Sequence, residues 1–516
     1  MTVSRGLLPG RRHDELAVAD RAGTSGLERG EVEADAHVLE HDGVLVGIGD
    51  GHTRDLEGAA ALVDACRFLR NPEDAWTPVV GILIAMGGDD VTPARTVGLV
   101  GAIAIGVGGM VGGGIFAVLG VAATDAQGAT PMAFLIAGAV AALTAFSYAR
   151  LSVQFQSSGG TVTFIDRVFG VHDLTGSLNI ILWVGYIATT ALYAAAFGNY
   201  AATLFPGGTE PSPLLLRFLI VVGVLIPWFI NLAEATLVSK SESIVVAIKV
   251  TILMVVIGAG IQSVEPSRLS VNTWPSPLAI LGAGMLIFVA YEGFELIANA
   301  SAEIKNPRRN LPLAFGVSVG IVIALYVAIS IVVVGSLDPA QIASSADFAL
   351  AEAAQASLGQ FGFNLVAVSA VLATFSAINA TLYGSARLSF TIATEGELPD
   401  LLERRSWNQP VGLHITAVVG VALAVGLPLS SISGLSSIIF LTVFAVVNAA
   451  AYRAGAPSRT QRAVAAAGFV GCVGSLLILV EQSFVSDPVA ILVLVVMVGG
   501  AMAAEHGFLK RRRNAR

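Results

Sequence analysis

From Val97 onward the sequence is a succession of uncharged apolar runs, each about twenty residues long, and a run of that length crosses the ~30 Å hydrocarbon core of a bilayer as one α-helix. Twelve spans fit, at 97–121, 131–150, 177–205, 213–232, 243–262, 279–300, 312–336, 363–391, 413–429, 431–452, 463–482 and 486–505. Soluble proteins carry roughly 25% charged residues; this chain carries 13%. The surplus apolar surface must face lipid. The runs are continuously apolar, which excludes a β-barrel, whose strands alternate apolar and polar residues. The expected fold is an all-α polytopic membrane protein of about 12 transmembrane helices.

The basic residues orient these spans, because Lys and Arg concentrate in cytoplasmic loops. With the N-terminus inside, 18 of the 21 bases from Arg95 onward fall on the cytoplasmic side, among them Arg308, Arg309 and the tail "KRRRNAR". Arg217 and Arg268 fall outside, and Lys249 falls within a span. Both termini are expected in the cytoplasm and the protein in the cell membrane. Residues 95–505 form the membrane domain and 506–516 a basic cytoplasmic tail.

Residues 1–94 have another character. They hold 17 acids against 8 bases, while the remainder holds 20 against 21. The segment reads as an acidic, disordered extension or as a misassigned start, with Met86 the alternative first residue. Its apolar patch, Trp76–Met86, is too short to span. "HVLEH" (His37–His41) matches the H-x-x-E-H pattern of some zinc proteases. No further acidic ligand accompanies it, and the segment is too small for a protease domain. Cys66 and Cys472 support neither a disulfide framework nor a metal site. No metal, cofactor or nucleic-acid partner is implied.

Span one contains "GVGGMVGGGIFAVLG" (Gly106–Gly120), with seven glycines in fifteen residues. Small residues four apart let helices approach closely, and Gly108 and Gly112 fit that use. The run Gly112-Gly113-Gly114 exceeds it and marks a candidate break. Unwound backbone at membrane depth is tolerated only where it lines a cavity or is buried in protein. A break there exposes the N–H groups of the following half-helix to an anionic group. Span six supplies a second irregularity. In "FVAYEGFELIAN", Glu292 and Glu295 flank Gly293 in mid-span. Acids at that depth need a cavity, a partner or a proton. Breaks in the first and sixth spans suggest two five-span repeats with two spans appended.

These stretches, with "SSGGTVTFIDRVFG" (Ser157–Gly170), "AEIKNPRRNLP" (Ala302–Pro312), "NATLYGSARLSFTIATEGELP" (Asn379–Pro399) and "VNAAAYR" ending at Arg453, occur in a characteristic order. The chain from about residue 95 resembles an amino acid permease of the amino acid–polyamine–organocation (APC) superfamily. The resemblance implies a LeuT-like fold, a 5+5 inverted repeat with discontinuous helices 1 and 6. It implies a substrate carboxylate at the backbone amides of Val111, Gly112, Gly113 and Gly114. The substrate amino group would meet carbonyls near Val289, Ala290 and Glu292, beside Gly293. Relatives often carry a gating aromatic at the position of Val289; here Phe288 stands one residue earlier.

Lys249 matches a span-five lysine of proton-coupled members, whose ammonium replaces a sodium ion; snorkelling to the interface is the plainer reading. Glu295 matches a position linked to proton handling in some antiporters. Glu292 either pairs with a cationic substrate or hydrogen-bonds the unwound backbone. Ser376 and Asn379 are placed toward Lys249 or in ordinary interhelical bonds, and Tyr186 and Tyr193 in the pocket wall or in packing.

The implied function is secondary active transport of amino acids or related amines, by proton-coupled symport. Exchange without proton coupling is the alternative, and a non-transporting receptor is less favoured. The spans hold no catalytic cluster and no P-loop, so neither an enzyme nor an ATP-driven pump is expected. The partners expected are the substrate, protons and the bilayer; oligomeric state is left open.

Overall fold

The computed structural model describes residues 3–5, 36–41, 44–49 and 95–515, apart from 158, 171–172, 206–210, 233–237, 395–403, 408 and 456–457. The chain divides into two compact units, Met1–Thr92 and Pro93–Arg516.

In the first unit the described residues form a three-stranded antiparallel sheet of β1 (Val3–Arg5), β2 (Ala36–His41) and β3 (Val44–Gly49), in the order β1-β3-β2. "HVLEH" lies in β2. The zinc-protease pattern relies on a helix to bring its histidines together, whereas this segment is a strand, rising about 3.3 Å per residue. On a helix, one turn would bring them together. Cys66, Trp76–Met86 and the alternative start at Met86 lie outside the described residues.

The second unit is helical. Span one is two helices, α1 (Leu99–Met110) and α2 (Gly114–Ala126). Span two is α3 (Thr130–Gln154), entered through a 3-10 turn at Gln127–Ala129. An amphipathic helix, α4 (Gly160–Phe169), precedes α5 (Asp173–Ala202), α6 (Pro213–Leu232) and α7 (Val238–Gly260), which are spans three to five. Span six comprises α8 (Pro277–Leu286), a 3-10 turn (Phe288–Tyr291) and the single turn α9 (Leu296–Asn299). Span seven is α10 (Pro307–Ser336), and the short α11 (Pro339–Ser344) leads to span eight, α12 (Ala349–Thr394). The last four are α13 (Val411–Gly426), α14 (Leu429–Arg453), α15 (Arg459–Ser486) and α16 (Pro488–Ala515).

Every sequence span thus falls on a helix or a broken helix. Among the described residues, eight helical stretches are long and apolar enough to cross a membrane, or nine with bent span six, and Leu99–Met110, Val411–Gly426 and Pro488–Ala503 are shorter apolar helices. The 41-residue stretch Gly114–Gln154 among these holds both α2 and α3. The segment 337–362, which lies between spans seven and eight, is largely helical. Gly359, at φ 63°, kinks α12 within it.

Span two packs along span seven, three along eight, and four along nine. Span five packs on span eight, and its counterpart, span ten, packs on span three. Span seven flanks α1, and span two flanks α8. These contacts are preserved when spans one to five are exchanged in order with spans six to ten, as a five-plus-five repeat requires. An odd number of spans per repeat starts the second from the opposite membrane face, which makes the repeat inverted.

Lipid replaces water around the outer helices. Val485 is 85% exposed, and Leu492, Val495 and Val496 are also exposed; such surface is stable only against hydrocarbon. Several buried polar groups pair between helices. Asn448 of α14 donates to the Thr144 hydroxyl of α3 at 2.9 Å and contacts Cys472 Sγ of α15 at 3.6 Å, while Ser147 donates to its Oδ1 at 2.7 Å. This knot ties span eleven to the repeat core.

At the end of the bundle that carries most bases, Val97 pairs in parallel with Ile304 beyond span six. The Val97 N–H donates to the Glu303 carbonyl at 3.0 Å, and the Lys305 N–H to that of Val97 at 2.8 Å. Ser157 and Ser301 exchange two hydrogen bonds beside it, 3.1 and 2.9 Å long. The segment "KNPRRNLP" turns at Asn306, φ 48°, and Pro307 opens α10.

Candidate binding site

The break in span one is local and ordered. Val111 leaves the helix at φ −79°, ψ 36°, and Gly113, at φ −82°, ψ −16°, precedes α2. A helix leaves its first N–H groups without intrahelical partners. Here those groups, from Gly114 onward, sit at mid-bundle with the positive end of the α2 dipole.

The span-six break faces it. Its two arms bend by 48°. Glu292 is extended, at φ −62°, ψ 148°, and Gly293 stands at φ 114°. Only glycine takes that conformation readily. A Cβ on Gly293 would also fall 2.4 Å from the Gly109 carbonyl carbon, so the two breaks meet backbone to backbone. Gly114 is equally tight against Ala290, where a Cβ would lie 2.9 Å from its Cα.

All eight residues expected to form the site, Val111, Gly112, Gly113, Gly114, Val289, Ala290, Glu292 and Gly293, are buried at this junction. Phe288 does not cover it; its ring packs edge-on against Phe444 of α14, centroids 5.9 Å apart. Tyr193 of α5 does lie there. A Cβ on Gly113 would come within 2.4 Å of its ring, and its hydroxyl stands 3.5 Å from Glu292 Oε2. Tyr186 is buried nearer Phe440, at 6.4 Å between rings.

The acids and the lysine are inside the protein. Glu292 is 5% exposed and Glu295 1%. Glu295 Oε2 accepts the Gly293 N–H at 2.7 Å, capping the unwound turn. Lys249 is 4% exposed, and its Nζ donates to the Gly108 carbonyl at 3.1 Å, in the last turn of α1. Its amine turns into the bundle instead of snorkelling out. Asn379 Oδ1 accepts from Asn231 Nδ2 of α6 at 2.8 Å, an interhelical bond.

Three hydroxyls that sequence reading passed over hold the junction. Tyr326 of α10 donates to the carbonyls of both Met110, at 2.6 Å, and Ala290, at 3.2 Å, joining the two breaks. Ser437 of α14 accepts the Val289 N–H at 3.0 Å and donates to the Leu286 carbonyl at 2.9 Å. Ser433 donates to the same carbonyl at 2.6 Å. Tyr326→Phe leaves two buried carbonyls short of a donor. It is expected to cost about 1–3 kcal/mol, read as a lower midpoint in thermal unfolding of the purified protein.

This architecture, with paired discontinuous helices inside an inverted repeat, is that of a membrane transporter core. The amino acid permease family model matches residues 97–502. An inner membrane transport protein of Escherichia coli is 34% identical over 70% of this chain and 84% of its own. The chloroplastic cationic amino acid transporter 9 of Arabidopsis thaliana is 32% identical over 60% of this chain and 57% of its own. A methylthioribose transporter of Bacillus subtilis is 26% identical over 69% and 80%. The chain belongs to the amino acid permease family, within the APC superfamily.

Proposed function

We propose that this permease carries an amino acid or related amine across the cytoplasmic membrane by proton-coupled symport, with both termini in the cytoplasm. The observation that carries the proposal is the direct apposition of the two breaks, Gly109 on Gly293 and Gly114 on Ala290. In one break, unwound backbone offers N–H groups at a helix start. In the other it offers carbonyls beside two acids. A zwitterion needs both kinds of group within a few ångströms. The carboxylate is placed at Val111–Gly114 and the ammonium at the carbonyls near Val289, Ala290 and Glu292. Alternating access then parts the two breaks first toward one face and then the other, while spans three, four, eight and nine stay packed together.

Coupling is assigned to Lys249 and Glu295. Each touches backbone at a break: Lys249 the Gly108 carbonyl, Glu295 the Gly293 amide. A change of proton occupancy at either side chain alters a bond that holds a broken helix. Exchange without proton coupling is the second reading. Glu292 favours it, because a buried carboxyl at the break also suits a cationic substrate side chain. The relatives' names span cationic amino acids and methylthioribose, so the backbone pair, not the fold, defines the substrate class proposed.

A thermal-shift series on the purified protein tests this. A ligand at about a hundred times its Kd stabilises the state it binds by about 2.7 kcal/mol. Some free amino acid or diamine should raise the unfolding midpoint. Esterifying the carboxylate or acetylating the amine of an active amino acid should remove the shift. A shift with methylthioribose and with no amino acid or amine would overturn the proposal.

A further inference from the structure

We propose that a cavity at the ends of spans four, eight and nine binds the phosphate headgroup of an anionic membrane phospholipid. The cavity has a volume of about 430 Å³ and is lined by ten residues, including Asn231, Tyr383, Arg387, Phe390, Arg405 and Leu413. Spans one and six contribute none of them, so it lies apart from the junction of the breaks. Its volume falls in the range of small-molecule sites and suits a phosphoglycerol headgroup.

Charge selects the ligand. Among the described residues, two guanidinium groups line the cavity and no carboxylate does. Among the described residues neither arginine forms an ion pair. Both are held by aromatic rings. Arg387 stacks 5.5 Å from the Tyr383 centroid and donates to its hydroxyl at 3.1 Å; Arg405 stacks 5.6 Å from that of Phe390. A guanidinium seated on a ring keeps donors free for the fork geometry that phosphate accepts. The short hairpin of β4 (Arg405–Ser406) and β5 (Gln409–Pro410) presents Arg405 at the mouth.

Position selects the source. On the orientation proposed above, these span ends lie at the cytoplasmic leaflet. Beside the cavity, Trp407, Phe229 and Tyr383 are exposed, with Ile226 and Ile230 on the same stretch of span four. Tyr and Trp gather at the headgroup level of membranes. Trp407 is held there by a tilted ring contact with Trp228 and an edge-on contact with His414, with centroids 5.7 Å from each, and Trp228 donates to His414 Nδ1 at 3.0 Å. Acyl chains running down span four meet an apolar wall while the phosphate reaches the arginines. Basic pockets between transmembrane helices on the cytoplasmic side suit anionic headgroups.

Native mass spectrometry tests this without reference to transport. The full chain, released from detergent, is offered equimolar phosphatidylglycerol and phosphatidylcholine of matched chains. Phosphatidylglycerol should be retained about fivefold or more over phosphatidylcholine. The preference should vanish in Arg387→Gln/Arg405→Gln and persist in Arg387→Lys/Arg405→Lys. It should also persist in Arg308→Gln/Arg309→Gln, which removes equal charge elsewhere on the same face. Equal retention of the two lipids, or a preference that survives the glutamine pair, overturns the proposal. Equal loss in the Arg308/Arg309 pair also overturns it, as general surface charge. Displacement of phosphatidylglycerol by millimolar inorganic phosphate would assign the cavity to a soluble anion and overturn the lipid.

Discussion

Gly113→Val is expected to weaken substrate binding well beyond tenfold while the protein still inserts and folds. The backbone at Gly113 lies in the right-handed helical region, φ −82°, ψ −16°, which any residue adopts. The effect is therefore one of space. A Cβ there would fall 2.4 Å from Tyr193 Cδ1 and 3.1 Å from Thr374 Cγ2, and valine adds two more carbons. Tyr193 cannot swing aside freely, being buried with its hydroxyl beside Glu292. The displaced ring and the added methyls occupy the approach to the N–H groups at the start of α2. Equilibrium binding of labelled substrate checks this, with gel filtration to verify folding. Near-normal affinity would remove the carboxylate from residues 112–114. Gly293 would be the poorer probe, because any side chain at φ 114° strains the fold itself.

Lys249→Ala is expected to abolish accumulation driven by a pH gradient and to spare part of the exchange of internal for external substrate. The ammonium donates to the Gly108 carbonyl in the last turn before the break. It stands where a cation can hold that turn, and its removal takes away both the bond and the charge. Gly108 is closed in by Val246, whose Cγ2 would lie 2.6 Å from an added Cβ. Paired assays on the same vesicles separate the outcomes. A variant whose accumulation still tracks the imposed gradient would return Lys249 to a packing role.

Much of this was legible in the sequence, because the features concerned are local. Apolar length gives the spans, base counting gives an orientation, and consecutive glycines at 112–114 mark a break. Glu292-Gly293 marks the other, since acids and glycine have no reason to sit at mid-span otherwise. The bridging groups are not legible. Tyr326, Ser433 and Ser437 are single polar residues in apolar helices, a pattern that ordinary packing also produces. Their role exists only once α10 and α14 are laid against the breaks. For Asn379 the sequence allows a place toward Lys249 or an ordinary interhelical bond, and its bond to Asn231 is the second of these. Asn379 shares a helix with residues facing Gly112 and Gly113, yet its side chain points to Asn231. The helix over 349–362 is not legible either, because Glu352, Gln355 and Gln360 interrupt the apolar run; it joins span eight across a kink at Gly359. The aromatic that does lie beside the break, Tyr193, comes from another span, so its nearness to Gly113 shows only in three dimensions.

The most direct measurement is uptake of a labelled substrate, found in the thermal-shift series, into vesicles containing only this protein. An inside-alkaline pH gradient is imposed, and a proton ionophore and external sodium are varied in turn. Proton-coupled symport predicts accumulation above equilibrium that collapses with the ionophore, does not respond to sodium, and is absent with Lys249→Ala. Accumulation that needs sodium, or uptake indifferent to the pH gradient in the unmodified protein, would contradict it.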